Sequence, residues 1–247
     1  MTTLKCTGRK FAGLVSVAVL WAMTAVPAAA VELLTNGDFS AGLGSWTVTD
    51  QAGGSGSWFS STVGTATPLS GLATSAVGGG VGLYAVSDQT GPGAHALTQS
   101  FTVTAGSQVM VTFDLFANDS DSGPIVNPAG LDYTATPNQH ARVDILTAAA
   151  GALSTAAADV VTSLLPPFVD PQASNPNPFT AYAFDITPFV GAGGTFQIRF
   201  AEVDNQLFFN MGVDNVSIME TSVPEPTTIL LLGLGLAGLG FRRPRTH

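Results

Sequence analysis

Apolar residues occur in two patterns along this chain, short alternating runs over the middle and one unbroken run near each end. Val109, Val111, Phe113 and Leu115 alternate with Met110, Thr112 and Asp114, and Phe196, Ile198 and Phe200 alternate with Gln197 and Arg199. A period of two places each set on one face of a strand and leaves the other face polar, so both runs are read as half-buried strands. Similar runs at 45–49, 81–87, 99–104, 141–146, 181–187 and 211–219 bring the expected strands to eight, each bounded by turn residues. The pattern predicts an all-β fold, a β-sandwich of jelly-roll type.

Between these runs, 51–80 is poor in charge and rich in Gly, Ser and Thr, 117–139 carries polar and proline residues, and 165–178 holds five prolines. All three read as loops. The tract 148–164 gives conflicting signals: its alanines favour a helix, while Gly151 and the Val160, Val161, Thr162 run favour extended chain. It is left irregular. No internal repeat is present, which argues against a solenoid or propeller.

The unbroken runs have a different character. At the N-terminus Lys5, Arg9 and Lys10 precede an apolar stretch from Phe11 to Val26, and Ala28 and Ala30 bracket a small-residue cleavage site. That order is a secretory signal peptide over 1–30, with Val31 as the first mature residue. At the C-terminus Val223, Pro224, Glu225 and Pro226 lead into an uncharged stretch over 227–241, followed by Arg242, Arg243 and Arg245. The prolines lack a backbone donor and disfavour helix before them, so this stalk is expected to be extended and open to a protease. As a helix the 15 residues of 227–241 reach about 22 Å, short of a hydrocarbon core of about 30 Å. Arginines after an apolar run favour the cytoplasmic side and snorkel to the interface, so transient insertion in the inner membrane is the expectation.

The Val-Pro-Glu-Pro stretch, the leucine- and glycine-rich segment and the terminal arginines together resemble the PEP-CTERM sorting signal of exported bacterial proteins. The resemblance implies export machinery and an exosortase as partners, cleavage near the Pro-Glu-Pro, delivery to the cell envelope, surface or extracellular matrix, and a host that makes exopolysaccharide.

Removing both signals leaves one expected domain, 31–222. It holds sixteen carboxylates against two arginines, Arg142 and Arg199, and no lysine, so its charge is near −14. Such a surface repels nucleic acid and anionic lipid and suits cations or neutral sugars. Cys6, the single cysteine, lies before the apolar stretch of the leader, so the mature domain has no disulfide.

The opening Leu34-Thr-Asn-Gly-Asp-Phe-Ser-x-Gly-x-Gly-Ser-Trp46 and the closing Gly212-Val-Asp-Asn-Val-Ser-Ile218 resemble the first and last strands of galactose-binding-like jelly rolls, among them carbohydrate-binding modules. The tracts Asn138-Gln-His-Ala-Arg-Val-Asp144 and Arg199-Phe-Ala-Glu-Val-Asp-Asn205 resemble segments of PEP-CTERM proteins of this layout. In the related modules a structural Ca²⁺ commonly bridges the first and last strands, with an acidic residue after the first strand's Phe. Here that position is Ser40, and Asp38 with Asp214 is the substitute pair.

Other oxygen ligands for Ca²⁺ stand at Asp119 and Asp121, in a polar loop without the full spacing of an EF-hand, and at Glu202, Asp204 and Asp214, which converge if the last two strands pair. For sugar stacking, Trp58 between Gly/Ser-rich turns is the leading candidate, joined by Tyr84, while Trp46 reads as core. Catalysis finds little support: no G-x-S-x-G elbow accompanies His95 or His140, and no carboxylate pair is marked by its setting. The sequence therefore points to a non-catalytic exported surface or matrix protein, associated with exopolysaccharide or biofilm and binding carbohydrate. A polysaccharide-acting enzyme and a purely structural matrix protein are the alternatives.

Overall fold

The computed structural model describes residues 29–62, 64–71, 82–119, 123–169 and 176–223, with Gly235. Over these the strands are β1 (Ala30–Glu32), β2 (Thr47–Asp50), β3 (Ser57–Thr62), β4 (Leu83–Asp88), β5 (Gly93–Val103), β6 (Ser107–Asp119), β7 (Gln139–Thr147), β8 (Val160–Phe168), β9 (Thr180–Asp185), β10 (Gly194–Asp204) and β11 (Phe209–Ser222), with a single-turn helix α1 (Thr187–Val190) before β10. Two antiparallel sheets face each other. The first runs β3-β4-β11-β6-β9, with β1 beside the far half of β11, and the second runs β2-β5-β10-β7-β8. The expected jelly-roll β-sandwich is what the chain forms.

The alternation read from the sequence builds the core. Val109, Val111, Phe113 and Leu115 of β6 point inward, as do Ile198 and Phe200 of β10, and Phe113 meets Phe200 edge to face at 5.2 Å between ring centroids. In β10, however, the outer face is buried too. Two loops lie over it, and the small side chains of Ala94, Ala96 and Ala201 leave room for Leu131 and Leu153 to pack on them. Arg199 is buried on this face. It donates to Asp144 Oδ2 from Nε (3.1 Å) and Nη2 (2.5 Å), and from Nη1 to the carbonyls of Ala152 and Ser154. Arg142 closes on the same carboxylate through two bonds. Burial opposes ionisation of Asp144, but the two guanidinium groups outweigh it and hold its pKa below the usual value.

Three strands go beyond the expected eight. β3 lies inside the stretch 51–80 that reads as loop; Ser57–Thr62 is mostly hydroxyl residues, and its pairing with β4 is what extends it. β8 spans the boundary between the unassigned tract and the proline-rich loop, and contains Pro166 and Pro167. It is an edge strand, where a missing N–H costs no ladder bond, and its register against β7 is irregular. β1 is three residues long and pairs with the end of β11.

The sequence's opening and closing motifs meet. Val216 N–H donates to Gly37 O at 2.9 Å, and a β-carbon at Gly37 would collide with the Val216 carbonyl. Asn36 gathers the turn around it, donating to Gly42 O and Gly44 O and accepting from Ala41 N–H, while Trp46 donates to Asn36 O. Phe39 then stacks on Trp46 in the core.

The sandwich has two distinct poles. β4, β6, β8 and β10 end at one, where the β4–β5 and β10–β11 turns lie side by side. The other gathers the start of β1, the end of β11, the β5–β6 turn and α1, tied by Thr104 N–H to Glu220 Oε1 (2.6 Å) and Gly106 N–H to Gly191 O (2.9 Å). Among the described residues no helix is long and apolar enough to cross a membrane. The expected signal and sorting helices, with Ala28, Pro224, Glu225, Pro226, Arg242, Arg243 and Arg245, lie outside the described residues, whereas Ala30 opens β1 and Val223 follows β11, half exposed.

Candidate functional site

The pole opposite the start of β1 and the end of β11 carries a pocket of about 380 Å³ between the β4–β5 and β10–β11 turns. Ser70, Gln89, Thr90, Asp204 and Gln206 supply polar groups to it, and Leu207, 68% exposed, stands at its rim. Both turns pass from one sheet to the other, so the strand ends fix where these side chains point.

A hydrogen-bonded chain holds the pocket from behind. His95 of β5 places Nδ1 2.8 Å from Asp50 Oδ1 and Nε2 2.9 Å from Ser55 O and 3.0 Å from Gln89 Oε1. All three partners are oxygens. With its oxygen taken by His95, the Gln89 amide turns its NH₂ to Asp204 Oδ2 at 2.8 Å, and Gln206 N–H donates to Asp204 Oδ1 at 2.9 Å. On the other side Asp88 accepts from Leu69 N–H, Ser70 N–H and Ser70 Oγ.

Glu202 is the anomaly. Its side chain shares the inward face of β10 with Asp204, is 0% exposed, and neither carboxyl oxygen has a hydrogen-bond partner. Burial pushes its pKa well above the usual carboxylate value; the nearby Ser87 hydroxyl opposes this, and Asp204 and Asp88 add to it. Ser87 Oγ itself is taken up by the Met211 backbone, accepting from N–H at 3.0 Å and donating to O at 3.3 Å.

The residues expected to stack on sugar are elsewhere. Trp58, 3% exposed, belongs to the main core on the inward face of β3. Tyr84, 0% exposed, packs edge to face with Phe116 and Phe179 on the outer side of the first sheet. Neither has a free ring face to offer. The low-complexity flanks of Trp58 read as a flexible loop, but pairing with β4 turns the indole inward.

The expected convergence of Glu202, Asp204 and Asp214 does not occur, because β10 and β11 belong to different sheets. Asp214 sits opposite Asp114 on β6 and accepts from Asn215 N–H. Asp38 is spent on Ser40, accepting from its N–H and hydroxyl, which lowers its pKa. Asp119 ends β6 opposite Phe209, and Asp121 lies outside the described residues. Among the described residues no three His, Cys, Asp or Glu side chains gather as a metal site. Where the resemblance implies a Ca²⁺ between first and last strands, Glu32 makes the bridge: it accepts from Leu34 N–H, Ile218 N–H and Ser217 Oγ. These donors engage both oxygens of the carboxylate.

Glu32 had no sequence signal beyond its place before the opening motif. Glu32→Ala is expected to cost about 1 kcal/mol, read as an earlier midpoint in urea unfolding with the slope unchanged.

Fold and pocket together define the class: a β-sandwich whose polar cleft lies at the pole away from the end of β11. Residues 222–245 match the PEP-CTERM protein-sorting motif, which marks an exported protein sorted to the cell envelope or surface and processed by an exosortase. No match was found among curated protein sequences. Among solved structures, similarity extends to the enzymatically active domain of tailspike protein 4 of bacteriophage CBA120 (13% identity, TM-score 0.44, 76% of this chain and 21% of that one). It also extends to the module TmCBM61 in complex with β-1,4-galactotriose (11%, 0.44, 76% and 97%), and to the K1 cleaved adhesin domain of Lys-gingipain from Porphyromonas gingivalis (13%, 0.43, 79% and 99%). The chain thus spans about a fifth of the tailspike's length. Similarity at this level carries nothing about what this chain binds.

Proposed function

We propose that this protein is a non-catalytic component of the cell surface or its exopolysaccharide matrix, and that it binds carbohydrate in the pocket of the β4–β5 and β10–β11 turns. The observation that carries the reading is the pocket itself: amide, hydroxyl and carboxylate groups converge from two adjacent turns in a volume of about 380 Å³, beside an exposed leucine. A ring of hydroxyls needs such mixed donors and acceptors for orientation, and an apolar rim for its C–H face.

Cleavage of a polysaccharide requires two carboxyl groups that reach one substrate. Asp204 lines the pocket, whereas Glu202 is enclosed behind it, so the arrangement favours holding over cutting. Isothermal titration of the exported protein with oligosaccharides prepared from its host's exopolysaccharide tests the reading. Saturable binding that Leu207→Ala and Gln206→Ala weaken about tenfold, without release of new reducing ends, is the expected result. Absence of binding to any of these glycans overturns it.

A further inference from the structure

The pole opposite the pocket carries exposed apolar residues of its own. Val31 of β1, Phe189 of α1 and Val223 after β11 are each about half exposed. Hydrogen bonds hold their elements together: Val31 pairs with Glu220 of β11, Glu220 Oε1 accepts from Thr104 N–H, and Gly106 N–H of the same turn donates to Gly191 O beside α1. One such side chain in water is ordinary, but here three separate elements present theirs at the end where the chain leaves the domain.

The charges around this pole are negative. Glu220 accepts from Thr104 N–H and Asp185 from Thr187 N–H at 2.9 Å, while the two arginines of 31–222 are bound to Asp144 on the outer side of the second sheet. Carboxylates repel anionic lipid. A surface that fits the pole is therefore met by its apolar side chains and carries no net negative charge, as the interface of a zwitterionic bilayer does.

The length of chain beyond the pole brings such a surface to it. Between Val223 and Thr227, where the uncharged run begins, stand Pro224, Glu225 and Pro226, and four Cα steps reach at most about 14 Å. The 15 residues of 227–241, as a helix, fall about 8 Å short of the hydrocarbon core. With Arg242 at the cytoplasmic interface, Thr227 then lies inside the core, and crossing the rest of it and a headgroup layer about 5–8 Å deep uses up the stalk. Resting on the insertion expected for 227–241, we propose that this pole sits on the outer face of the membrane that holds the segment, with Phe189, Val31 and Val223 in a neutral lipid interface. The pocket, at the other end of β11, then faces away from the lipid.

The test uses the full chain in phosphatidylcholine vesicles, with and without bromine on the acyl chains. Phe189→Trp reports the pole. Val126→Trp is the control, since Ile125 beside it bridges to Gln139 at the start of β7, opposite Asp204 at the pocket pole. Emission is read as the difference from the parent chain, which removes the native tryptophans. The expected result is loss of the Phe189→Trp emission in brominated lipid, with a shift to shorter wavelength, and no loss at Val126→Trp. Adding Val31→Ser and Val223→Ser to the Phe189→Trp chain should reduce that loss while the melting temperature stays where it was. Quenching that these serines leave undiminished shows a tether without docking, and overturns the proposal. So does equal quenching at both poles. A Phe189→Trp emission shielded from aqueous iodide yet untouched by brominated lipid means that a second copy covers the pole, which also overturns it, and a chain that alkaline extraction strips from the vesicles overturns it at the insertion step.

Discussion

Asp144→Ala should lower the melting temperature by about 10 °C or more, the largest effect expected of a substitution in the domain. The carboxylate accepts from both arginines and from Ser163 Oγ. Arg142 has an exposed flank and finds water when its partner is gone, but Arg199 is fully enclosed. Leaving such a charge unpaired costs about 3–5 kcal/mol, and in a domain of this size each kcal/mol is worth roughly 2–4 °C. The damage extends beyond the pair, since Arg199 also holds the 148–159 loop through the carbonyls of Ala152 and Ser154. Pairing Asp144→Leu with Arg199→Met should recover much of the loss, because an apolar pair leaves no orphan charge. A calorimetric double-mutant cycle checks both statements; additive losses would show that the two residues act separately.

Glu202→Gln should remove the part of the pH dependence in which stability falls as the pH rises above 4.5. In the folded domain burial keeps the proton on Glu202 well above 4.5, where the unfolded chain has already released it. As the pH rises past that point the unfolded state is favoured, and stability falls by roughly 1 kcal/mol per pH unit until the folded group ionises. His140 acts in the opposite sense. Burial, with Arg142 adding to it, lowers its pKa from 6.5 to about 4, so stability falls as the pH drops through that interval. Above pH 4.5 the Glu202 slope opposes the His140 slope, which itself ends at 6.5. The wild type is therefore expected to gain less stability than the glutamine variant as the pH rises above 4.5. The glutamine variant should strengthen from pH 4 to 6.5 and then stay level. Urea unfolding at several pH values reads both curves, and parallel curves would mean that Glu202 is ionised throughout.

Much of the frame was legible because alternation is a local signal. The runs around Phe113 and Phe200 gave strands, faces and core directly. The opening and closing motifs were rightly singled out as ends of the sandwich, and their closeness turned out to rest on Gly37 against Val216. The tracts 138–144 and 199–205 fall on β7 and β10, which lie side by side with Asp144 opposite Arg199. What stayed hidden depends on partners far along the chain. Trp58 turns inward because β3 pairs with β4, and no property of Ser57–Thr62 announces that. Glu202 and Asp214 part because β10 and β11 lie in different sheets, a choice made by the whole topology. Gln89 and Gln206 look like ordinary turn residues until the turns are seen side by side.

β11 also fixes how the molecule carries load. Its 14 residues run from Phe209 at the pocket to Ser222 at the sorting segment, about 43 Å at strand rise. A chain held by its C-terminal end and pulled through a bound glycan is stretched along this one strand. β6 flanks it over most of its length, and β4 and β1 share its other side. The pull is thus parallel to the strands, and the ladder bonds on both sides resist it together in shear instead of opening one after another. Force applied between the pocket and the end of β11 would load these ladders without the sheets having to peel apart.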